Sequence, residues 1–179
     1  MSWTLKAAHP TFFLCEPNRA IESTINVARG EWKYVAEMEM DFDINLPPVP
    51  CMLGELNQMT LNMIINSSHA IADKMKNQGQ GKGLITISTR HEGEWAVMRI
   101  RDTGGGIPLA NRDLVFDPFF TTKEVGKGTG QGLAISHAVV EKHGGTITFE
   151  TAEGEGTTFT IRLPLHETAK TPDELKEAA

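Results

Sequence analysis

The sequence predicts a mixed α/β fold, and three patterns support this prediction. Apolar and acidic residues alternate up to Ile44, which indicates a strand. Apolar residues recur at helical spacing between Leu53 and Lys76, which indicates a long helix. Two further segments, 84–101 and 146–163, each have the pattern of two short strands around a tight turn. The chain is therefore expected to combine helices with antiparallel hairpins.

Composition limits the function classes. The 179 residues suit one domain with short appendages, 40% are hydrophobic, and no apolar run approaches the roughly 18 residues of a membrane span. A basic and then apolar start typical of a signal peptide is missing. The net charge of -6 argues against nucleic-acid binding. Cys15 and Cys51 have no metal-site spacing and are expected to be buried thiols in a reducing cytosol.

The first half of the chain predicts a helix and then a strand. Residues 18–29 form the helix, which follows Pro17 and has one apolar face of Ile21, Ile25 and Ala28. The strand runs from Lys33 to Ile44. Its buried face is expected to consist of Met38, Met40, Phe42 and Ile44, and its solvated face of Glu37, Glu39, Asp41 and Asp43. Pro47, Pro48 and Pro50 are expected to end it, because proline cannot donate to a strand ladder.

The second half predicts the long helix, two hairpins and a third helix. The long helix ends in a glycine-rich loop, and strands Leu84–Arg90 and Trp95–Arg101 follow around a Glu92-Gly93 turn. An irregular stretch occupies 102–130. The third helix extends from Gln131 to Lys142 and ends at Gly144-Gly145. The last hairpin consists of Thr146–Thr151 and Thr157–Leu163, and a polar tail begins at His166.

The long helix carries two asparagines, Asn62 and Asn66, one turn apart on the same side. Its apolar residues Leu56, Met59, Met63 and Ile64 are expected to face the core. Asparagine is a middling helix former, so helix propensity does not explain the pair. An amide oxygen can bind Mg²⁺ where phosphate oxygens supply the negative charge, which makes Asn66 a candidate metal ligand. A solvated polar helix face is the alternative from this helix alone.

The stretch DTGGGI begins at Asp102, at the carboxyl end of a predicted strand. The carboxylate could accept a hydrogen bond from an exocyclic amine such as that of adenine. Gly104 and Gly106 lack Cβ atoms and would let the backbone approach a ring closely. A tight turn capped by aspartate is the alternative interpretation.

The segment FDPFFTTKEVGKGTGQGL resembles a lid over a phosphate site. Phe116, Phe119 and Phe120 are apolar anchors in a polar loop, which is typical of a segment that closes on a ligand. Four alternate glycines, Gly126, Gly128, Gly130 and Gly132, lead directly into a helix. Free amides and the positive end of the helix dipole would face a phosphate there, and Lys123 and Lys127 add mobile positive charge. A plain flexible loop is the alternative.

In this order, LNMIINSSHAI, DTGGGI, FDPFFTTK, GTGQGLAI and GTTFTIRLP resemble the catalytic ATP-binding domain of bacterial sensor histidine kinases. The resemblance covers roughly residues 18–165. It implies the Bergerat fold, a two-layer α/β sandwich whose mixed, mostly antiparallel sheet is covered on one side by helices, with a mobile ATP lid at about 108–130.

By this resemblance, Asn66 binds magnesium, Asp102 holds the adenine amine, and Gly104 and Gly106 line the base. Thr157 assists near the adenine through water, and Gly128, Gly130 and Gly132 surround the phosphates. The expected ATP-binding set also contains Asn62, Ile107, Lys123, Lys127, Thr129 and Leu133.

Asn62 occupies the catalytic position where related ATPases and serine kinases carry a glutamate. An amide does not titrate and cannot act as a general base, so wasteful hydrolysis of ATP should be slow. Phosphoryl transfer then needs an acceptor that is already nucleophilic, as a neutral imidazole is. This favours a histidine kinase over a stand-alone regulatory module resembling the anti-sigma factors, or an ATPase of the gyrase type, which remain the alternatives.

The chain also departs from the family pattern. His69 stands where many kinases have a basic residue that contacts phosphate, Gln131 stands where leucine is common, and none of the six histidines fits the acceptor motif. The acceptor is therefore expected on a separate dimerisation domain, which residues 1–17 would join to the ATP-binding domain; residues 166–179 would form a tail. The expected partners are ATP or ADP, that domain and a response regulator. The chain is expected to be cytoplasmic and to make no membrane contact itself. It could also be the cytoplasmic part of a membrane-bound sensor.

Overall fold

A five-stranded mixed sheet covered by helices forms the core of a computed structural model, which describes residues 12–79, 81–121 and 129–166. The described elements, in chain order, are β1 (Phe13–Cys15), α1 (Pro17–Val27), α2 (Arg29–Trp32), β2 (Ala36–Asp41), β3 (Val49–Cys51), α3 (Leu53–Gln78), β4 (Gly83–Glu92), β5 (Trp95–Asp102), a 3-10 helix (Leu109–Leu114), α4 (Gly132–Lys142), β6 (Thr146–Ala152) and β7 (Gly156–Pro164).

The strands lie in the order β2-β4-β5-β7-β6, and only the β2–β4 pair is parallel. Helix α3 packs on β4 and β5, and α4 packs on β6 and β7. The expected two-layer α/β sandwich with a mostly antiparallel sheet is therefore confirmed. The register places Asp102 opposite Thr157 on β7, and Thr157 opposite Thr151 on β6. These three residues thus form one row across neighbouring strands.

Helix α3 supplies the largest part of the core. Its residues Leu56, Met59, Met63 and Ile64 are buried, as the helical spacing predicted. Burying each such side chain contributes about 1.5–3 kcal/mol to folding. The helix ends at Gly79, whose φ of 62° lets its N–H bond the carbonyl of Met75 at 2.9 Å. Because one face of α3 is committed to the core, its polar stripe must point elsewhere.

The predicted strand Lys33–Ile44 is shorter than expected and its apolar face is only partly covered. The strand, β2, spans Ala36–Asp41. Met40 is 49% exposed and Ile44 is 90% exposed, so the prediction that both are buried is wrong. The reason is position in the sheet: among the described strands, β2 is an edge strand paired only with β4, and Ile44 lies beyond its end.

Two short strands outside the main sheet were not predicted. β1 and β3 pair antiparallel, with Leu14 opposite Pro50. Proline can occupy a strand whose N–H is not needed by a neighbour, so the proline cluster does not prevent this pairing. Cys15 and Cys51 lie in these strands as buried, unbridged thiols, as expected, and burial raises the pKa of the Cys51 thiol. Among the described helices, none is both long and apolar enough to cross a membrane.

Candidate functional site

A cavity of about 760 Å³ opens between α3 and the loops that follow β5, a volume typical of small-molecule sites. The start of α4 and the end of the β6–β7 hairpin close its other sides. Of the residues expected to bind ATP, those lining it are Asn62, Asn66, Asp102, Gly106, Ile107, Thr129, Gly130, Gly132, Leu133 and Thr157. The tertiary structure therefore brings most of the candidates to one place.

The polar stripe of α3 forms one wall of the cavity. It continues beyond the two asparagines for three further turns, through Ser67, His69, Ala70, Asp73, Lys74 and Asn77. Except for His69, the sequence analysis did not single these residues out. The signal was available, because positions 66, 70, 73 and 77 recur at helical spacing and therefore lie along one face of the helix. Lys74 donates a hydrogen bond to the carbonyl of Thr103 at 3.0 Å, which links the helix to the loop after β5.

Asp102 lies at the floor of the cavity and is only 3% exposed. Its Oδ1 accepts the N–H of Gly104 at 2.8 Å, and the carboxylate also accepts the N–H of Thr157 and the hydroxyl of Ser67. Burial raises the pKa of the Asp102 carboxyl from 3.8 to about 6, while these donors and the charge of Lys74 oppose the rise. The group is thus held in place, and is mostly ionised at neutral pH.

Two glycines after Asp102 allow close packing for different reasons. A Cβ on Gly104 would lie 2.6 Å from the Cβ of Ala70, so Gly104 lets the loop approach α3. It is not among the residues that line the cavity. Gly106 has a φ of 73°, and a Cβ there would lie 2.2 Å from the carbonyl oxygen of Ala152. Only glycine fits that position without moving the backbone.

A threonine pair lies beside Asp102, and only Thr157 of the pair is among the described residues that line the cavity. Thr157 is 5% exposed, and its Oγ1 lies 3.0 Å from the Oγ1 of Thr151. Thr151 also accepts the N–H of Ile107 at 2.9 Å and donates to the carbonyl of Gly156 at 3.0 Å. The loop that bears Ile107 is therefore tied to the last hairpin.

The start of α4 meets the asparagine pair. The amide of Asn62 donates to the carbonyl of Gly132 at 3.2 Å, and a Cβ on Gly132 would lie 3.8 Å from Nδ2 of Asn66. The first turn of α4 therefore lies against Asn62 and Asn66, with its N-terminal amides at the cavity. No described residue hydrogen-bonds the side chain of Asn66, which leaves its amide available to a ligand.

The described part of the predicted lid contains the 3-10 helix and the three phenylalanines. Phe116 packs against His137 and Phe149, with ring centroids 5.0 and 5.9 Å apart, and Phe120 lines the cavity. Phe119 is 72% exposed with a φ of 68°, and its N–H bonds the carbonyl of Gly130 at 3.0 Å. Lys123, Lys127 and Gly128 lie outside the described residues.

The polar residues that line the cavity suit a nucleotide, whose phosphates carry the negative charge that a magnesium ion needs. The described residues contain no cluster of three or more metal-binding His, Cys, Asp or Glu side chains. A magnesium ion held by the Asn66 amide would therefore depend on phosphate oxygens for its remaining ligands. The buried Asp102 acceptor, which also lines the cavity, suits an amine on a base, so the residues present are compatible with Mg-ATP.

His137 on α4 and His143, which caps the end of this helix, are held by structural contacts. His143 is buried, accepts the N–H of Met52 at 3.0 Å through Nε2, and lies 2.7 Å from the carbonyl of Val139 through Nδ1. His137 stacks on Phe116 and lies 3.4 Å from a carboxylate oxygen of Glu141. These contacts are typical of histidines with a structural role.

Comparison with known proteins identifies one family. The model for the histidine kinase-, DNA gyrase B- and HSP90-like ATPases matches residues 54–167. The sensor kinase CckA of Brucella abortus is 36% identical over 80% of this chain, and the sensor histidine kinase ZraS of Escherichia coli K12 is 37% identical over 76%. The chain spans only 16% and 28% of their lengths, respectively.

Solved structures agree with the sequence comparison. A mycobacterial sensor histidine kinase, MprB, superimposes with a TM-score of 0.71 at 25% identity, covering 88% of this chain and 99% of that one. The catalytic domain of the histidine kinase ThkA superimposes with a TM-score of 0.72 at 25% identity, covering 86% and 95%.

Proposed function

The chain belongs to the family of histidine kinase-, DNA gyrase B- and HSP90-like ATPases, and on that premise we propose that it is the half of a sensor kinase that binds Mg-ATP and donates the γ-phosphoryl group. The resemblance found in the sequence motifs is confirmed. The acceptor would be a histidine on a dimerisation domain, and a response-regulator aspartate would receive the group afterwards. The enzyme would thus be a protein-histidine kinase.

The observation that carries the proposal is the amide pair of Asn62 and Asn66 on α3, which lies against the start of α4. The carboxylates among the described lining residues are Asp73, Asp102 and Glu153. Asp73 lies seven residues beyond Asn66, about 10 Å along the helix, and the Glu153 carboxylate accepts the N–H of Leu109 at 3.2 Å. Asp102 is committed to three donors. A general base for water is therefore missing from the described surroundings of Asn66, which favours transfer to a nucleophilic imidazole over hydrolysis.

The remaining roles follow the geometry of the cavity. Asp102 would hold the purine amine with Thr157 beside it, Asn66 would bind magnesium, and the amides at the start of α4 would face the phosphates. Magnesium, when bound, would neutralise charge on the phosphate oxygens. Ile107 and Leu133 line the cavity and supply apolar surface for the nucleotide. Lys123, Lys127 and Gly128 are proposed to complete the phosphate site from the lid.

The short span of this chain relative to its curated relatives agrees with an acceptor domain elsewhere. The relatives named as sensor kinases are several times longer than the matched segment. We propose the dimerisation domain and the response regulator as partners, and the cytoplasm as the location, because the kinase needs ATP.

Two experiments test this function. Isothermal titration should show ATP binding that magnesium strengthens, and no binding at millimolar nucleotide would overturn the proposal. Mixing the chain with the histidine-bearing domain of its own kinase and labelled ATP should then give an acid-labile phosphoprotein. The same mixture with the acceptor histidine changed to alanine is the control. Rapid phosphate release by the chain alone, without labelling of the partner, would instead indicate an ATPase.

A further inference from the structure

Thr151 is the centre of a hydrogen-bond network beneath the candidate base site. Its Oγ1 contacts three groups: the N–H of Ile107 at 2.9 Å, the carbonyl of Gly156 at 3.0 Å and the Oγ1 of Thr157 at 3.0 Å. Thr151 is half-buried, and it is not among the residues that line the cavity. Any influence on a ligand must therefore pass through its partners.

The direction of each bond follows from counting protons. A threonine hydroxyl has one hydrogen to donate and two lone pairs to accept with. The Gly156 carbonyl can only accept, so the hydrogen of Thr151 goes there. The Ile107 N–H can only donate, and it takes one lone pair of Thr151. The remaining contact leaves Thr157 as the donor to Thr151, although its geometry alone permits either direction.

This count determines what Thr157 can offer to the cavity. Because its hydrogen points at Thr151, the Thr157 hydroxyl has only lone pairs left for a ligand, and Thr157 lines the cavity beside Asp102, its partner across the β5–β7 pair. The carboxylate of Asp102 is also an acceptor. The floor of the site therefore presents two neighbouring acceptors, which suit a group with two N–H donors and disfavour a carbonyl oxygen.

We propose that Thr151 is a positioning residue that sets the hydrogen-bond polarity of the base site and so its preference for a 6-amino purine over a 6-oxo purine. The inference rests on the proposed nucleotide binding. It goes further by assigning base discrimination to a residue outside the cavity. The Thr151 network also anchors the loop at Ile107, but that contact would affect both purines equally.

The test compares the binding of ATP and inosine triphosphate, which carries a carbonyl oxygen at the 6-position. Dissociation constants are measured by titration calorimetry at pH 8, where Asp102 is ionised, for the original chain, Thr151→Val and Thr151→Ser. Thr148→Val is the matched control, because Thr148 lies on the same strand with an exposed side chain. We expect Thr151→Val to reduce the ATP preference about tenfold by freeing the Thr157 hydroxyl to rotate. Thr151→Ser and Thr148→Val should retain it.

A double-variant comparison separates positioning from general damage. If Thr151 acts through Thr157, Thr151→Val should not change the preference further in a chain that already carries Thr157→Val. An unchanged ATP preference in Thr151→Val or in Thr157→Val overturns the inference, as does a loss in Thr151→Ser equal to that in Thr151→Val. If Thr151→Val has no thermal unfolding transition, Thr151→Ala removes the same hydroxyl and takes its place. Failure of the original chain to bind either nucleotide rejects the proposed function itself.

Discussion

The Oδ1 of Asp102 accepts a 2.8 Å hydrogen bond from the backbone N–H of Gly104, two residues further along the chain. Asp102 is only 3% exposed. Burial disfavours the charged form of the carboxylate, whereas the N–H donors favour it. Burial is the larger effect, so the pKa of Asp102 rises to about 6. The site thus keeps an acceptor that is ionised at neutral pH and protonated in mild acid.

Nucleotide affinity should therefore depend on pH. An ionised Asp102 accepts from the purine amine, and protonation removes that acceptor. We expect the affinity for ATP to weaken about tenfold per pH unit once the pH falls below about 6. Calorimetric titrations between pH 5 and 8 measure this change, and inosine triphosphate serves as the control, because a protonated Asp102 can donate to its carbonyl. Equal pH profiles for the two nucleotides would contradict the assignment.

The same pKa predicts how the stability of the ligand-free chain changes with pH. The folded pKa of Asp102, about 6, exceeds the ordinary value of 3.8, so the folded state binds this proton more tightly than the unfolded state. The contribution of Asp102 to stability therefore increases as pH falls from about 6 towards 4, by up to about 3 kcal/mol. Urea denaturation across this pH range gives the free energy of unfolding of the original chain and of Asp102→Asn. The change with pH in the difference between the two free energies measures the contribution of Asp102. Parallel curves for the two chains would show that the pKa is not raised.

Gly106 and Gly93 form a matched pair for testing the tight loop. Their φ values are 73° and 61°, but a Cβ on Gly106 meets the Ala152 carbonyl at 2.2 Å, whereas a Cβ on Gly93 meets nothing within 4 Å. Gly93→Ala should cost about 1–2 kcal/mol of unfolding free energy from backbone strain. Gly106→Ala should cost at least about 3 kcal/mol and also weaken ATP binding. Equal losses in urea denaturation would show that the contact with Ala152 relaxes freely.

Asn62 offers a test of the missing general base. We expect Asn62→Glu to raise phosphate release at least about tenfold, because a positioned base contributes about a hundredfold or more to such reactions. Asn62→Gln is the matched control, since glutamine has the same length as glutamate and no titrating group. Its rate of phosphate release should remain slow. A coupled phosphate assay without any partner measures both rates. If the two variants hydrolyse ATP equally slowly, the lack of a base at this position does not explain slow hydrolysis.

Asn66 should control the magnesium dependence of binding. Removal of its amide in Asn66→Ala should abolish most of the affinity that magnesium adds, while binding of ATP in the presence of EDTA stays the same. Titrations with and without magnesium give this difference directly. A magnesium effect that survives in Asn66→Ala, with the original chain measured alongside, would place the ion elsewhere.

Local patterns predicted the elements with the strongest periodicity. The spacing of Leu56, Met59, Met63 and Ile64 identified the buried face of α3, and all four are buried. The same kind of argument failed at Met40 and Ile44, because alternation indicates a strand face but cannot show whether another element covers it. The pairing of β1 with β3 was also missed, since three-residue strands carry too little pattern to detect.

The sequence by itself determined the family, the order of the site motifs and the types of side chain in them, because these depend on short stretches of chain. Only the tertiary structure decided that Asp102, Thr157 and Thr151 form one row across three strands, and that Gly104 lies behind the cavity wall. Strand register and side-chain burial arise from contacts between segments distant in sequence. The hydrogen-bond directions that follow from them therefore cannot be deduced from any one motif.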